Sequence, residues 1–320
     1  MARPLIRDCD EFRVVRFKQL TRKERETAWL EERRNGVGGS EMGTILGLNK
    51  YSTPYRLWLE KTGREQPEDI SGKWAIVKGK ALERELRNRF KTLHPELEVY
   101  DGTDKSLISN EHEFMHASLD GILYDETNGF GVLEIKTANA RRAGDWHDNE
   151  GNLVIPPYYL AQVTHYLAVT GWRWGYVYAD IGESEPVEIL FDRNEDDVNA
   201  VIKCAETFWG YVTRDEAPEL STAEEVKLVH PDDDGDIVEA DDKQRFEVFA
   251  SAYENAGEVI REWKKKRKDL GDKLAVMVGE HQGVKTPDGK VTFKTQERAE
   301  HVVKASTTRV LRVSENKEGK

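Results

Sequence analysis

The 320-residue chain sets 48 lysines and arginines against 60 aspartates and glutamates, a formal net charge of −12. Its 38% hydrophobic and 34% charged residues describe a soluble globular protein, and two isolated cysteines exclude a disulfide framework and a cysteine-ligated zinc or iron–sulfur site. No run of about 18 apolar residues is present, so no membrane helix is expected. The negative total weighs little against a nucleic-acid partner, because DNA affinity comes from local neutralisation of phosphates and a metal site adds carboxylates of its own. The first residues lack the apolar core of a signal peptide, which makes an intracellular, cytoplasmic location the expectation. A chain of this length predicts a catalytic domain with an appendage.

Residues 1–23 are mixed and basic, with a strand signal at Arg13-Val-Val-Arg-Phe17. Thr21 and Glu24 form a capping-box pattern for a helix through Arg34, on which Trp29 and Arg33 are i, i+4 neighbours. Gly36, Gly38 and Gly39 break it, and Ser40 is placed to cap a second helix, Glu41–Leu48. A Gly-Gly-Ser helix start can present N–H groups to an anion, although an ordinary helical turn looks the same. Thr53-Pro54 opens a helix over Tyr55–Lys61, and after a polar loop a long helix is predicted over Trp74–Leu93. On it Glu83 borders the apolar stripe, where a carboxylate is commonly paired by an arginine such as Arg84 or Arg87.

The following stretch predicts strands at Glu98–Tyr100, Leu107–Leu119, Ile122–Tyr124 and Gly131–Thr137, a helix at Pro157–Thr170, and strands at Trp174–Ala179 and Val187–Phe191. The Thr137–Pro156 connection carries Arg141, Arg142, Trp146 and His147, suited either to a sugar-phosphate backbone or splayed base, or to a plain surface loop. On the next helix Tyr159, Gln162 and Tyr166 share one face, with Leu160, Val163 and Leu167 on the adjacent core face; His165 reads as structural. A helix over Asp192–Glu219 closes a domain drawn as 1–228. An acidic linker, 229–242, leads to an appendage, 243–320: a long amphipathic helix with the basic run Arg261–Lys268, a hairpin around Pro287-Asp-Gly289, and a terminal strand from Arg309. The basic run suits either DNA phosphates or a plain solvated face.

The chemistry concentrates in Ser118-Leu-Asp120-Gly and Val132-Leu-Glu134-Ile-Lys136. On a strand, Glu134 and Lys136 point to one face with Val132, while Leu133 and Ile135 point into the other layer. The Asp125-Glu-Thr-Asn-Gly129 turn signal predicts a hairpin that brings Asp120 to the same place. Asp120, Glu134 and the Ile135 carbonyl are hard oxygen donors suited to Mg²⁺ or Mn²⁺, and Lys136 is placed to orient or deprotonate a water, or to stabilise charge. A lone Glu-x-Lys on an edge strand would carry no such meaning.

These residues resemble the signature of the PD-(D/E)xK nuclease superfamily. The flanks Trp29-Leu-Glu-Glu-Arg33, Gly38-Gly-Ser40-Glu, Gly79-Lys-Ala-Leu-Glu83 and Tyr159-Leu-Ala-Gln162-Val-Thr-His-Tyr166 resemble YqaJ-type viral recombinases and phage lambda-type exonucleases, in family order across 24–192. Leu119 replaces the family's proline and leaves the acidic ligand in place. The resemblance implies an α/β fold, a central mixed sheet flanked by helices, here with a C-terminal helix and β-hairpin appendage. It implies a Mg²⁺-dependent 5′→3′ double-strand DNA exonuclease, with two metal ions and Mn²⁺ as the alternative, that leaves 3′ single strands for a single-strand annealing protein in phage-type recombination. Asp120, Glu134 and Ile135 would hold metal, with Lys136, Glu83 and Gln162 completing the catalytic set. Arg33, Ser40 and Ser118 would take the 5′ phosphate, with Arg141 and Arg142 on the DNA. A homotrimeric ring in a bacterial host or phage setting belongs to the same picture. The rivals are an endonuclease of the same superfamily, which would not need the Arg33, Ser40 and Ser118 pocket, and a non-catalytic DNA-binding relative, which would have lost an acidic ligand or the lysine.

Overall fold

The computed structural model describes residues 6–17, 21–103, 105–182, 185–297, 309–311 and 313. They form two compact units, Met1–Ser221 and Thr222–Lys320. The first runs β1 (Phe12–Arg16), α1 (Arg22–Arg34), β2 (Val37–Gly38), α2 (Gly39–Ile45), α3 (Pro54–Lys61), α4 (Trp74–Leu93), β3 (Glu98–Asp101), β4 (Lys105–Ser109), β5 (Met115–Ala117), β6 (Gly121–Asp125), β7 (Gly129–Thr137), a 3₁₀ stretch (Ala140–Trp146), α5 (Pro157–Thr170), β8 (Trp174–Asp180), β9 (Val187–Asp192) and α6 (Glu195–Arg214).

The central sheet has the order β3-β6-β7-β8-β9 and is mixed, with β7 and β8 parallel and the other pairs antiparallel. The hairpin β6–β7 forms because Asp125 accepts from the backbone N–H of Thr127 (2.9 Å) and Asn128 (2.6 Å), and Gly129 takes φ +71°. Its register pairs Gly121 with Leu133, so Asp120 arrives opposite Glu134. As the alternation predicts, Leu133 and Ile135 bury against Leu86 and Phe90 of α4, while Val132 joins Val163 and Leu167 of α5 on the other face. Each such fully buried aliphatic side chain contributes roughly 1.5–3 kcal/mol.

A second sheet, β1-β4-β5-β2, lies beyond α5, and α5 touches strands of both. Helix α5 starts at Pro156-Pro157 and ends on Gly171 at φ +69°. Helix α2 rests directly on α5. A Cβ at Gly39 would come within 2.5 Å of the Tyr166 ring, and one at Gly43 within 3.0 Å of the Tyr158 Cβ. Those glycines therefore seat α2, with Ser40 and Glu41, over the end of the central sheet.

Several expectations shift. Gly38, not Ser40, is the N-cap of α2, and the helix spans Gly39–Ile45 rather than Glu41–Leu48, because the Glu41 carboxylate itself takes the Gly38 N–H (2.9 Å). The single strand expected over Leu107–Leu119 is two, β4 and β5, divided by a turn in which Ser109 Oγ accepts from the His112 N–H (3.0 Å). Leu160 faces solvent rather than the core. The 137–156 connection has structure of its own, with Trp146 buried in the core and therefore not available to a splayed base.

In the second unit α7 (Ala223–Val229) was not anticipated, although Thr222 and Glu225 form a capping box there. Residues 230–242 carry no helix or strand. The long helix α8 (Lys243–Val278) and the hairpin β10 (Gly283–Thr286) with β11 (Gly289–Thr292) follow as expected. The terminal strand is absent at the described residues 309–311 and 313. Among the described residues no helix is long and apolar enough to cross a membrane.

Candidate active site

At the ends of β6 and β7 a cavity of about 230 Å³ opens beneath α1, α2, α4 and α5. It is lined by Asp120, Glu134, Ile135, Lys136, Glu83 and Gln162, and also by Arg33, Ser40 and Ser118. Nine residues singled out along the sequence, from positions 33 to 162, thus share one cavity. Arg141 and Arg142 are not part of its lining; Arg142 pairs with Asp145 at 2.6 Å.

The acidic end is tightly buried. Glu134 accepts through Oε1 from the Lys136 ammonium (2.6 Å) and from Gln162 Nε2 (2.7 Å). Its Oε2 is buried without a hydrogen-bond partner. Asp120 accepts the Ile135 N–H at 2.8 Å. Its own carbonyl takes a hydrogen bond of 2.5 Å from Arg87, which also meets Glu83 at 3.4 Å and Asp101 at 3.0 Å. Burial first, and the Asp120 charge second, push Glu134 up to about 8 and Glu83 up to about 7. Burial raises Asp120 too, against the pull of Lys136 and the Ile135 N–H. Carboxylates crowded this way resist ionising together unless a cation joins them.

Among the described residues no group of three or more His, Cys, Asp or Glu side chains is gathered to hold a metal. The donor set suggested by the sequence is different, two carboxylates and the Ile135 carbonyl. A buried Glu134 oxygen that no donor among the described residues satisfies, beside Asp120, fits a hard divalent cation. Lys136 lies 4.5 Å over the Tyr159 ring and donates to Gln162 Oε1 (3.0 Å). Gln162 donates as well to the Tyr166 hydroxyl (2.7 Å), which fixes its amide. The i, i+3, i+7 face read from α5 is the one that meets the lysine.

The other end is cationic. Arg33 donates to Ser40 Oγ (2.8 Å) and to Glu41 Oε1 (3.0 Å), and its guanidinium lies 5.2 Å from the Trp29 ring centroid. Trp29 Nε1 donates to Ser118 Oγ (3.1 Å). Both serine hydroxyls accept from a fixed donor, leaving each O–H to donate into the cavity.

Sequence reading passed over Glu41 and Lys61. Glu41 is buried between Arg33 and Lys61, whose ammonium lies 2.8 Å away and also donates to the carbonyls of Arg33 (2.7 Å) and Gly36 (2.6 Å) at the end of α1. The signal for Glu41 was its place after Gly-Gly-Ser in the first turn of a helix; Lys61 had none.

Residues 28–173 match the model of the YqaJ-like viral recombinase domain. The chain is 35% identical over 208 residues to the uncharacterized protein YqaJ of Bacillus subtilis (strain 168), covering 62% of this chain. It spans about 60% of that relative's length. Among solved structures, an alkaline exonuclease (LHK-Exo) from Laribacter hongkongensis is 17% identical with a TM-score of 0.47, over 59% of this chain and 93% of that one. A phage-related exonuclease from Haemophilus somnus 129PT is 13% identical with a TM-score of 0.38, over 56% and 96%.

Proposed function

We propose that the protein is a Mg²⁺-dependent nuclease that digests double-stranded DNA from a 5′ end, leaving a 3′ single strand. The observation that supports this reading is the joining, in one cavity, of the Asp120, Glu134 and Lys136 centre with the Arg33, Ser40 and Ser118 cradle. A carboxylate centre alone would serve any phosphodiester hydrolase. A cradle of one guanidinium and two hydroxyl donors suits a terminal phosphate, with its extra charge, better than an internal diester.

Asp120, Glu134 and the Ile135 carbonyl would hold the ion, which when bound supplies charge neutralisation at the phosphodiester and a more acidic water. Beside Glu134 and Asp120, the Lys136 pKa is raised against the opposing effect of burial. Lys136 would orient or deprotonate the attacking water, or stabilise developing negative charge. Gln162 aims Lys136 and Glu134 through one amide. Glu83 is placed by Arg87 at the rim of the acidic centre. Arg33, Ser40 and Ser118 would grip the terminal phosphate, fixing where along the strand the scissile bond falls. Arg141 and Arg142 would contact duplex outside the cavity. Use of the product by a single-strand annealing protein, and assembly into a trimeric ring, belong to the same proposal.

The test compares end-labelled linear duplex with closed circular duplex, with Mg²⁺ and with EDTA. Loss of the linear substrate alone, only with metal and with short 5′ products, is expected. Cleavage of the closed circle would replace the reading with an endonuclease.

A further inference from the structure

Helix α8 has 36 residues, and nearly all of its surface is exposed, including large apolar side chains. Phe246, Phe249, Tyr253, Ile260, Trp263, Leu270, Leu274 and Met277 are 43–76% exposed. Their spacing is strict. Taking Phe246 as position a of a heptad, a falls on 246, 253, 260, 267 and 274, and d on 249, 256, 263, 270 and 277. Eight of these ten positions are large and apolar; the exceptions are Ala256 and Arg267. In a lone straight helix such a stripe drifts by about 20° per heptad, so it forms a continuous seam only when wound around a partner helix. A groove of about 760 Å³ runs along the same face, centred on Trp263 and Leu270, and every residue lining it occupies an a, d, e or g position.

We propose that this face pairs with α8 of a second copy of the chain, in antiparallel order. Antiparallel packing sets a against d. The one alignment that uses all ten positions joins 246 with 277, 249 with 274, 253 with 270, 256 with 267 and 260 with 263. The single charged seam position, Arg267, then lies opposite the single small one, Ala256, and its side chain has room to run outward. Parallel packing would set Arg267 against Arg267 and Ala256 against Ala256, a buried like-charge pair with a gap above it. The exposed fractions of the eight large side chains amount to about 900 Å² of accessible surface per copy, at roughly 150–250 Å² for each aromatic and somewhat less for the others, against about 800 Å² per partner in a standard stable interface. Glu247, Glu254, Glu258, Lys265 and Lys268 fall at outer positions and stay in solvent.

The measurement is the mass of the full-length protein by sedimentation equilibrium, wild type beside Ile260→Asp/Trp263→Asp and beside Ser251→Asp on the outer face. Wild type and Ser251→Asp should have twice the mass of the seam variant, whatever stoichiometry the first unit adopts by itself. Leu270→Asp, at another layer of the seam, should likewise halve the mass, and an unchanged far-UV circular dichroism spectrum shows that each variant is folded. Equal masses for wild type and the folded seam variants would overturn the pairing and leave the face to a different protein. Order is read by oxidation in a Cys9→Ser/Cys204→Ser background. Chains carrying Phe246→Cys should cross-link to chains carrying Met277→Cys and not to themselves, and self-linking at 246 would overturn the antiparallel arrangement.

Discussion

Glu41 offers the sharpest test of how the cationic end is built. Its carboxylate, 7% exposed, accepts from Arg33 (3.0 Å), Lys61 (2.8 Å) and the Gly38 N–H (2.9 Å). Burial by itself would raise its pKa, but Arg33 and Lys61 together hold it below the ordinary carboxylate range. Glu41→Ala removes the counter-charge of a lysine whose side chain is 4% exposed, and stranding a buried charge costs about 3–5 kcal/mol. Glu41→Gln keeps the shape and one acceptor, and Lys61 keeps two carbonyls, so about 1–3 kcal/mol is expected. Adding Lys61→Met to Glu41→Ala removes the stranded ammonium and should restore at least half of the loss. Urea unfolding followed by circular dichroism, extrapolated to water, reads all four proteins. A loss below about 1 kcal/mol for Glu41→Ala, or a double variant no more stable than the single, would refute the claim that this buried pair organises the start of α2.

Lys136→Ala and Glu134→Ala should each lower nuclease turnover by at least about 10²-fold while DNA binding in a shift assay stays near wild type; near-normal turnover would remove them from the chemistry. Arg33→Ala should slow digestion of 5′-phosphorylated duplex far more than of 5′-hydroxyl duplex, and equal losses would separate Arg33 from the end phosphate. Burial pushes the His165 imidazole down to about 4 from its ordinary 6.5, so the folded protein keeps it neutral where the unfolded chain takes up a proton. Its contribution to stability is therefore intact above about pH 6.5 and lost as pH falls toward 4, by up to about 3 kcal/mol. His165→Gln should flatten that part of the stability–pH curve, and an unchanged slope would contradict it. Removing residues 243–320 should leave the chemistry intact and weaken DNA binding in a salt-dependent way if the basic run Arg261–Lys268 meets phosphates; unchanged affinity across a salt titration would remove that role.

What the sequence made legible follows the range of the forces involved. Local signals carried far: the capping box at Thr21 and Glu24, the start of α3 at Thr53-Pro54, the Asp125–Gly129 turn and the period-2 pattern of β7 all reappear in the structure. Period 2 also told which residues of β7 share a face, because alternation is a property of the strand itself. The misses involve partners distant in the chain. Nothing near Lys61 says that it will sit 2.8 Å from Glu41, and nothing near Trp146 says that it will be buried. Ser40 has the composition of an N-cap, yet Gly38 holds that position, its N–H taken by Glu41, and Ser40 is left to Arg33, a choice made by tertiary charge pairing rather than by helix propensity.

The two ends of the cavity follow one rule of construction. A side chain at each end is held by a charged neighbour: Arg87 grips the Asp120 carbonyl and Glu83, and Glu41 grips Arg33 from behind. Both anchors are more than four-fifths hidden from solvent, where charge pairs are stiff and an unpaired partner is expensive. Such anchors restrict the rotamers of Arg33 and Glu83 before any ligand arrives, which lowers the ordering cost of binding. The same logic explains why the acidic end is left short of donors. Lys136 and Gln162 both meet Glu134 through one oxygen, Oε1, and the second stays unsatisfied toward Asp120. A fold that needed only stability would have supplied a donor there; an open oxygen beside a second carboxylate is what the proposed divalent cation would require.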